Sequence, residues 1–489
     1  MRRAIVSLIA MSLCLLAAGC GSSSSSSTVS GALANELSYF PSGSPLVTVI
    51  ETNPGGAAVQ NLNGLLDQFP LAKLGIDELE STLESSGIDY QTDIEPLYGN
   101  PVTLAVLQVP DSVSVSGSDY LAVWVAKSAA KLDALIKTFP GLSPAGKLDG
   151  ASLYRSSAGA LAVDGATVFL AASAADIAAA LKRHAHGGGL TAADFSKAMG
   201  TLPQNALIRA FGTLTSGLST PFAASAHKIP WVAAIRGYGV AISAATTGLT
   251  AQFHVDTSGG PLTGDELPIA SGETPPALAG TLPIAVGVRD PARSLDFIEA
   301  AARAADPESY APFQRGEAAA QRKTGYDLNT FATLLTGNLI IESDTKTTMA
   351  RVGVTDPASA AKQLAALPRV VGDIFDTSTG LSRLAGGFYA VKEGKGKAID
   401  LGLVGNQFVA GVATPAQLRA FAAAPTTAAP GAQGAVAFRI SLLELLKVAL
   451  GSSPATSLVQ SLFSTLGDLT GSASATTSAL IGNLSLGVK

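Results

Sequence analysis

One local signature recurs along this chain and limits what it can fold into: a short apolar strand, a brief polar turn, a helix-capping residue and a proline. It is clearest in Ala285-Val286-Gly287-Val288-Arg289-Asp290-Pro291, ahead of a helical stretch. Asp290 is suited to accept a hydrogen bond from the free N–H groups of the helix start. Pro291 suits the first helical position, where no N–H is needed. Residues 352–357 repeat the pattern almost letter for letter, ending in Asp356-Pro357. Residues 409–415 give a third copy ending in Thr414-Pro415, and residues 47–54 a fourth ending in Asn53-Pro54. Residues 123–128 and 168–173 are proline-free versions that end in Ser128 and Ser173. Strand–cap–helix units repeated in this way imply an architecture used more than once.

The order of landmarks makes the duplication specific. Pro45 corresponds to Pro283, and Leu97-Tyr98-Gly99-Asn100 to Leu335-Thr336-Gly337-Asn338, both at an offset of 238 residues. Gly165 corresponds to Gly405, residues 206–211 to 435–440, and Ala245-Thr246-Thr247 to Ala475-Thr476-Thr477. Offsets that drift by about ten residues are what loop insertions produce. Gly, Pro and Ser crowd the stretch between the halves, as in a linker. The chain therefore divides into a leader (1–19), a Ser-rich tether (20–34), a first repeat (35–257), a linker (258–279) and a second repeat (280–489).

Within each half, strands come in pairs with short connections, such as 102–109 with 120–125 and 159–163 with 166–171, which implies antiparallel pairing. Leu132, Leu135, Ile136 and Phe139 fall on one helical face. Residues 249–256 alternate strictly, so one face of that strand should be buried and the other wet. The expected fold class is α+β: two tandem, pseudo-symmetric copies of a mainly antiparallel sheet with helices on one face. Phosphate loops are missing, which excludes a nucleotide-binding doubly wound sheet.

Arg2 and Arg3 precede an apolar run that ends in Leu16-Ala17-Ala18-Gly19-Cys20. That run is an export leader, too short for a comfortable membrane span. Its end resembles a bacterial lipobox, which implies that Cys20 is acylated and becomes the mature N-terminus. The serine run that follows cannot bury apolar surface and suits a flexible spacer. The chain has two cysteines, Cys14 and Cys20. Cys14 leaves with the leader and Cys20 is modified, so no thiol is left for a disulfide, a zinc site or a nucleophile. Net charge is −5 and no arginine-rich run occurs, which argues against nucleic acid as a partner. Mean hydropathy is +0.34. The most apolar later stretch, 440–450, contains Glu444 and Lys447 and reads as an amphipathic or buried helix.

The opening of the folded part, Leu37-Ser38-Tyr39-Phe40-Pro41-Ser42-Gly43-Ser44-Pro45-Leu46-Val47, resembles the start of bacterial envelope proteins grouped as domain of unknown function 3352. Asp93-Ile94-Glu95-Pro96-Leu97-Tyr98-Gly99 resembles that family's aspartate-to-glycine motif before a strand, with Leu97 or Tyr98 where the family often has tryptophan. The family carries no assigned activity, so the resemblance transfers no catalytic residue.

Candidate chemistry is sparse. His184 and His186 form the one histidine cluster, and two histidines two apart can both reach a metal from an extended loop. Asp176 or Asp194 would have to supply a third ligand. The alternative is a solvated helix end, where basic side chains suit the dipole and the following glycines stop the helix. His254, beside Gln252 and Asp256, reads as a surface histidine, and His227 lies in a loop. Asp93 and Glu95 could pair for acid/base chemistry, but their place before Pro96 suits a turn. Residues 392–397, Lys-Glu-Gly-Lys-Gly-Lys, could be an anion-binding loop or a charged hairpin loop. No nucleophile elbow, phosphate loop, dinucleotide fingerprint or zinc-protease helix occurs. No catalytic, metal or cofactor residue is assigned, and Cys20 is the one expected modification site. The expectation is a lipid-anchored, extracytoplasmic membrane protein without enzymatic activity that binds an envelope protein or wall component. The alternatives are a carrier or sensor of an apolar small molecule or lipid and, less favoured, a wall or periplasmic hydrolase.

Overall fold

A computed structural model describes residues 30–107, 120–156, 159–213, 226–344, 346–374, 379–393, 397–429, 431–450 and 464–489. Cys20, the leader and most of the tether lie outside the described residues. The chain forms two compact units. The first holds the described residues up to 213 together with 236–255 and Val488. The second holds 226–235, 256–487 and Lys489.

In the first unit the strands are β1 (Leu46–Ile50), β2 (Val102–Val106), β3 (Tyr120–Val125), β4 (Ser143–Leu148), β5 (Ala151–Ser156), β6 (Gly159–Asp164), β7 (Thr167–Ala171), β8 (Ile208–Gly212), β9 (Gly237–Ala245) and β10 (Gly248–Asp256). Their pairing order is β4-β5-β6-β7-β3-β2-β1-β8-β9-β10, and every ladder from β4 to β9 is antiparallel. The helices are α1 (Gly31–Leu37), α2 (Ala57–Leu66), α3 (Pro70–Ser85), α4 (Ala129–Thr138), α5 (Ala174–His186) and α6 (Ala192–Met199).

The second unit carries the short α7 (Pro230–Ala233), a small two-strand ladder of β11 (Ala277–Leu278) with β19 (Thr427–Ala428), and a larger sheet. That sheet contains β12 (Ile284–Arg289), β13 (Leu335–Ser343), β14 (Thr348–Val354), β15 (Thr379–Arg383), β16 (Tyr389–Glu393), β17 (Ile399–Val404), β18 (Gln407–Val412), β20 (Val436–Ile440), β21 (Leu466–Ala475) and β22 (Ala479–Val488). Its pairing order is β15-β16-β17-β18-β14-β13-β12-β20-β21-β22, antiparallel from β15 to β21. Its helices are α8 (Pro291–Ala305), α9 (Pro307–Thr324), α10 (Leu328–Leu334), α11 (Pro357–Ile374), α12 (Pro415–Ala423) and α13 (Leu442–Leu450). The protein is thus mixed helix and sheet with a large antiparallel component. Gly165 and Gly405 each take positive φ, +58° and +62°, in the two-residue turns that join β6 to β7 and β17 to β18.

The repeated cap signature builds helix starts by more than one route. Asp356 accepts from the N–H groups of Ala358 and Ser359, both at 3.0 Å. Thr414 and Gln417 form a reciprocal capping box, as do Ser173 with Asp176 and Thr191 with Asp194. Asp290 departs from expectation. It occupies the residue before α8 in a left-handed conformation (φ 49°, ψ 64°) and makes no side-chain cap bond. A capping side chain needs extended backbone at that residue. Here the Asp290 N–H instead follows the sheet edge, donating to the Gly337 carbonyl at 3.1 Å. The fourth copy differs too: Pro54 lies in a turn stabilised by Asn53 Oδ1, and α2 starts three residues later with Gly56 as cap. Replacing Ser173 with alanine removes half of a capping box and should lower unit-one stability by about 1 kcal/mol. Thermal unfolding of the variant against the parent checks this.

The expected single helical face does not hold in unit one. Ala160 and Ala162 of β6 belong to one buried cluster with Leu33, Leu37, Ile177 and Phe195 from α1, α5 and α6, and β6 meets α5 directly. Leu161 and Val163, on the opposite pleat, pack with Leu132 and Ile136 of α4. Both faces of β6 are apolar, so both need cover. The strict alternation expected for residues 249–256 also gives way to partial burial along the strand. Residues 258–279 carry a capped 3₁₀ turn at Gly264–Glu266 and the strand β11, with Leu267 and Leu278 buried. No helix among the described residues is long and apolar enough to cross a membrane.

Candidate functional site

The residues that converge on a possible site lie where the N-terminal segment meets α5. Leu33, Glu36 and Leu37 share one face of α1, Phe40 follows just beyond its end, and all four are buried. The chain after α1 is clasped by the end of α5 and the following loop. Arg183 donates to the Tyr39 carbonyl, the Leu190 N–H donates to the Phe40 carbonyl at 2.9 Å, and Pro41 bridges Gly189. A β-carbon at Gly189 would stand 1.8 Å from the Ser38 carbonyl oxygen, so the close approach requires glycine.

His184 sits at the centre of the clasp. Its Nδ1 is 2.6 Å from Ser38 Oγ, and its ring stacks on Tyr39 at 4.3 Å between centroids and 20° between planes. The Ser38 hydroxyl also donates to the Asn35 carbonyl at 2.5 Å. Ser38 Oγ thus lies within hydrogen-bond reach of both the Asn35 carbonyl and His184 Nδ1. Burial pushes the Tyr39 hydroxyl above its ordinary range, and the charge of Asp164 adds to the rise.

Beside this clasp opens a cleft of about 680 Å³ bordered by Tyr39, Asp149, Asp164, Lys182, His184 and His186. Its apolar lining comes from Ala178, Ala179, Leu181 and Ala185 of α5. Asp149 stands in the turn between β4 and β5, and Asp164 ends β6 at the turn into β7. Antiparallel strands put these two turns at the same end of the sheet.

A second polar centre is closed to solvent. Glu36 is fully buried and accepts from Thr103 Oγ1 at 2.7 Å and from the Val125 N–H at 3.2 Å. Desolvation pushes its carboxyl up to about 8, the two hydrogen bonds only partly opposing the rise. Glu51 and Arg209 are the charged groups nearest in effect, and Glu51 lies 3.7 Å from Arg209.

The sequence candidates are dispersed. His184 and His186 lie on a helix, not an extended loop, and residues two apart on a helix point to different sides. His184 faces Ser38, whereas His186 Nδ1 bonds the Lys182 carbonyl at 2.8 Å. Asp176 and Asp194 are committed to capping boxes. Among the described residues no group of three or more His, Cys, Asp or Glu is placed to hold a metal ion. His254 is not the surface residue expected: its Nδ1 is buried without a hydrogen-bond partner among the described residues, near Gly200 at the end of α6. Residues 90–97 form a π turn and a 3₁₀ turn, and Asp93 accepts from the Asp89 N–H at 3.0 Å, so Asp93 and Glu95 shape a turn. The charged loop 392–397 joins β16 to β17, with 394–396 outside the described residues. Sequence reasoning missed Glu36, Tyr39 and the two turn aspartates. The one available signal was an acid at position 36 inside the apolar face of Leu33 and Leu37.

No curated protein matches this chain. Among solved structures, TP0453 in crystal form III aligns with a TM-score of 0.28 and 8% identity, covering 49% of this chain and 84% of that one. Crystal form IV of TP0453 aligns with a TM-score of 0.27 and 11% identity, covering 45% and 80%. The family model described as a protein of unknown function, DUF3352, matches residues 4–146, a span that includes both stretches, 37–47 and 93–99, that carry the resemblance in the sequence.

Proposed function

We propose that this chain is a lipid-anchored, extracytoplasmic protein that binds an envelope component and catalyses nothing, and that its body is a doubled sheet-and-helix unit. The observation that carries the binding role is the cleft beside α5, which presents exposed charges of both signs. Duplication, with copies at 35–257 and 280–489, is supported by the shared strand order, in which β4 to β7 correspond to β15 to β18 and β1, β2, β3 and β8 to β12, β13, β14 and β20. Anchoring rests on Cys20 and the residues before it. Two acyl-type signals at one cysteine suffice for stable membrane attachment.

The experiment has two arms. Metabolic labelling with a palmitate analogue should mark the full chain, and Cys20→Ser should abolish the mark; an unlabelled parent chain refutes the anchor. Cross-linking in intact envelopes should return one reproducible partner or wall fragment with the chain. Loss of that capture in a variant with the cleft charges removed supports the binding role, and capture unchanged by those substitutions refutes it.

A further inference from the structure

We infer that the cleft beside α5 takes a short peptide whose ammonium and carboxylate ends are both free. This deepens the binding role proposed above and rests on it. Asp149 and Asp164 bring two carboxylates to the cleft from neighbouring hairpin turns, and Lys182 brings an ammonium from α5. Among the described residues none of these three groups has an ion-pair or hydrogen-bond partner. Charges of opposite sign that border one cleft without neutralising each other are complementary to a ligand that carries both signs.

The walls are pre-set. The bond to Ser38 and the stack on Tyr39 hold His184 in place, so the α5 wall does not have to order on binding. Asp149 is held in a left-handed turn conformation (φ 47°), which fixes where its carboxylate leaves the backbone. The alanines of α5 leave room between the charged groups for small side chains. The cleft volume falls within the roughly 300–1,000 Å³ of small-ligand sites. In unit two the helix that follows the β15–β18 meander is α12, and its Arg419 guanidinium lies over the Phe388 ring at 4.8 Å. A cation in that helix is used internally, whereas Lys182 is not.

The test is calorimetric titration of the full chain in detergent with trialanine, N-acetyl-trialanine and trialanine amide. Trialanine should bind saturably, and capping either end should weaken binding about fivefold, the scale of one exposed ion pair. The double substitution Asp149→Asn with Asp164→Asn should weaken trialanine to the level of the acetylated peptide and leave the acetylated peptide unchanged. Lys182→Gln should do the same with respect to the amide. Unchanged circular dichroism shows that each variant is folded. Equal binding of free and capped peptides, or no saturable binding of trialanine to the parent chain, overturns the inference. If trialanine fails while envelope cross-linking still captures a charge-dependent partner, the peptide assignment falls and the binding role stands.

Discussion

Glu36→Gln should make the protein more stable at pH 8 and flatten its stability profile between about pH 4.5 and pH 8. Glu36 is fully buried on α1, hydrogen-bonded to Thr103 on β2 and to the backbone of Val125 on β3. Its carboxyl is raised from 4.5 to about 8, first by desolvation, while Thr103 and Val125 lower it and Glu51 raises it slightly. The folded state therefore holds a proton that the unfolded state gives up near 4.5. Stability from the neutral form is complete below 4.5 and is lost as pH rises through about 8. A shift of that size corresponds to at most on the order of 3–5 kcal/mol. Glutamine copies the neutral acid, retaining an acceptor for the Val125 N–H and presenting an N–H to Thr103. Thermal unfolding of parent and variant from pH 5 to pH 8.5 checks the effect. Parallel curves for the two proteins would show that Glu36 does not titrate in this range.

The second large effect is expected at Arg351, in the middle of β14 between β13 and β18. Its guanidinium is buried and donates to the carbonyls of Phe421 at 2.5 Å, Ala422 at 2.7 Å and Ala424 at 2.9 Å. These carbonyls lie at the end of α12, where the helix dipole is negative; that of Phe421 also accepts from the Ala424 N–H at 3.1 Å. The cation also lies 5.0 Å from the Phe421 ring centroid. Burial lowers its proton affinity and the nearby Glu342 opposes that change. Arg351→Ala removes the donor to the Ala422 and Ala424 carbonyls and one of two donors to that of Phe421, and should destabilise unit two by on the order of 3 kcal/mol. Arg351→Lys should recover only part of the loss, because one ammonium on a flexible stem cannot serve three carbonyls as a planar fork does. Denaturant unfolding followed by Trp231 fluorescence reads the difference, since Trp231 belongs to unit two. An alanine variant as stable as the parent would remove the capping role.

Much of the local structure was legible in the chain. The cap residues Asp356, Thr414, Ser128 and Ser173 each hold a helix start through their side chains. Leu132 and Ile136 are buried on the predicted face of α4. The paired strands meet antiparallel as short connections require. Asp290 shows where the reading ran out. The same letters that cap a helix at Asp356 serve at Asp290 to keep a ladder partner, because the preceding strand edge decides the backbone angle. His254 failed for a related reason: its exposure depends on α6, which is distant in sequence and packs nearby.

The sequence by itself determined which segments become many of the strands and helices and where most helices start. Those features depend on side chains within a few residues of one another: caps, proline at the first helical position, and apolar spacing. Only the tertiary structure decided that β6 is covered on both faces, that Glu36 is fully buried against Thr103 and Val125 with its carboxyl pushed up to about 8, and that Asp149, Asp164 and Lys182 border one cleft. Each of these depends on residues that are far apart in the chain and meet only in the folded protein.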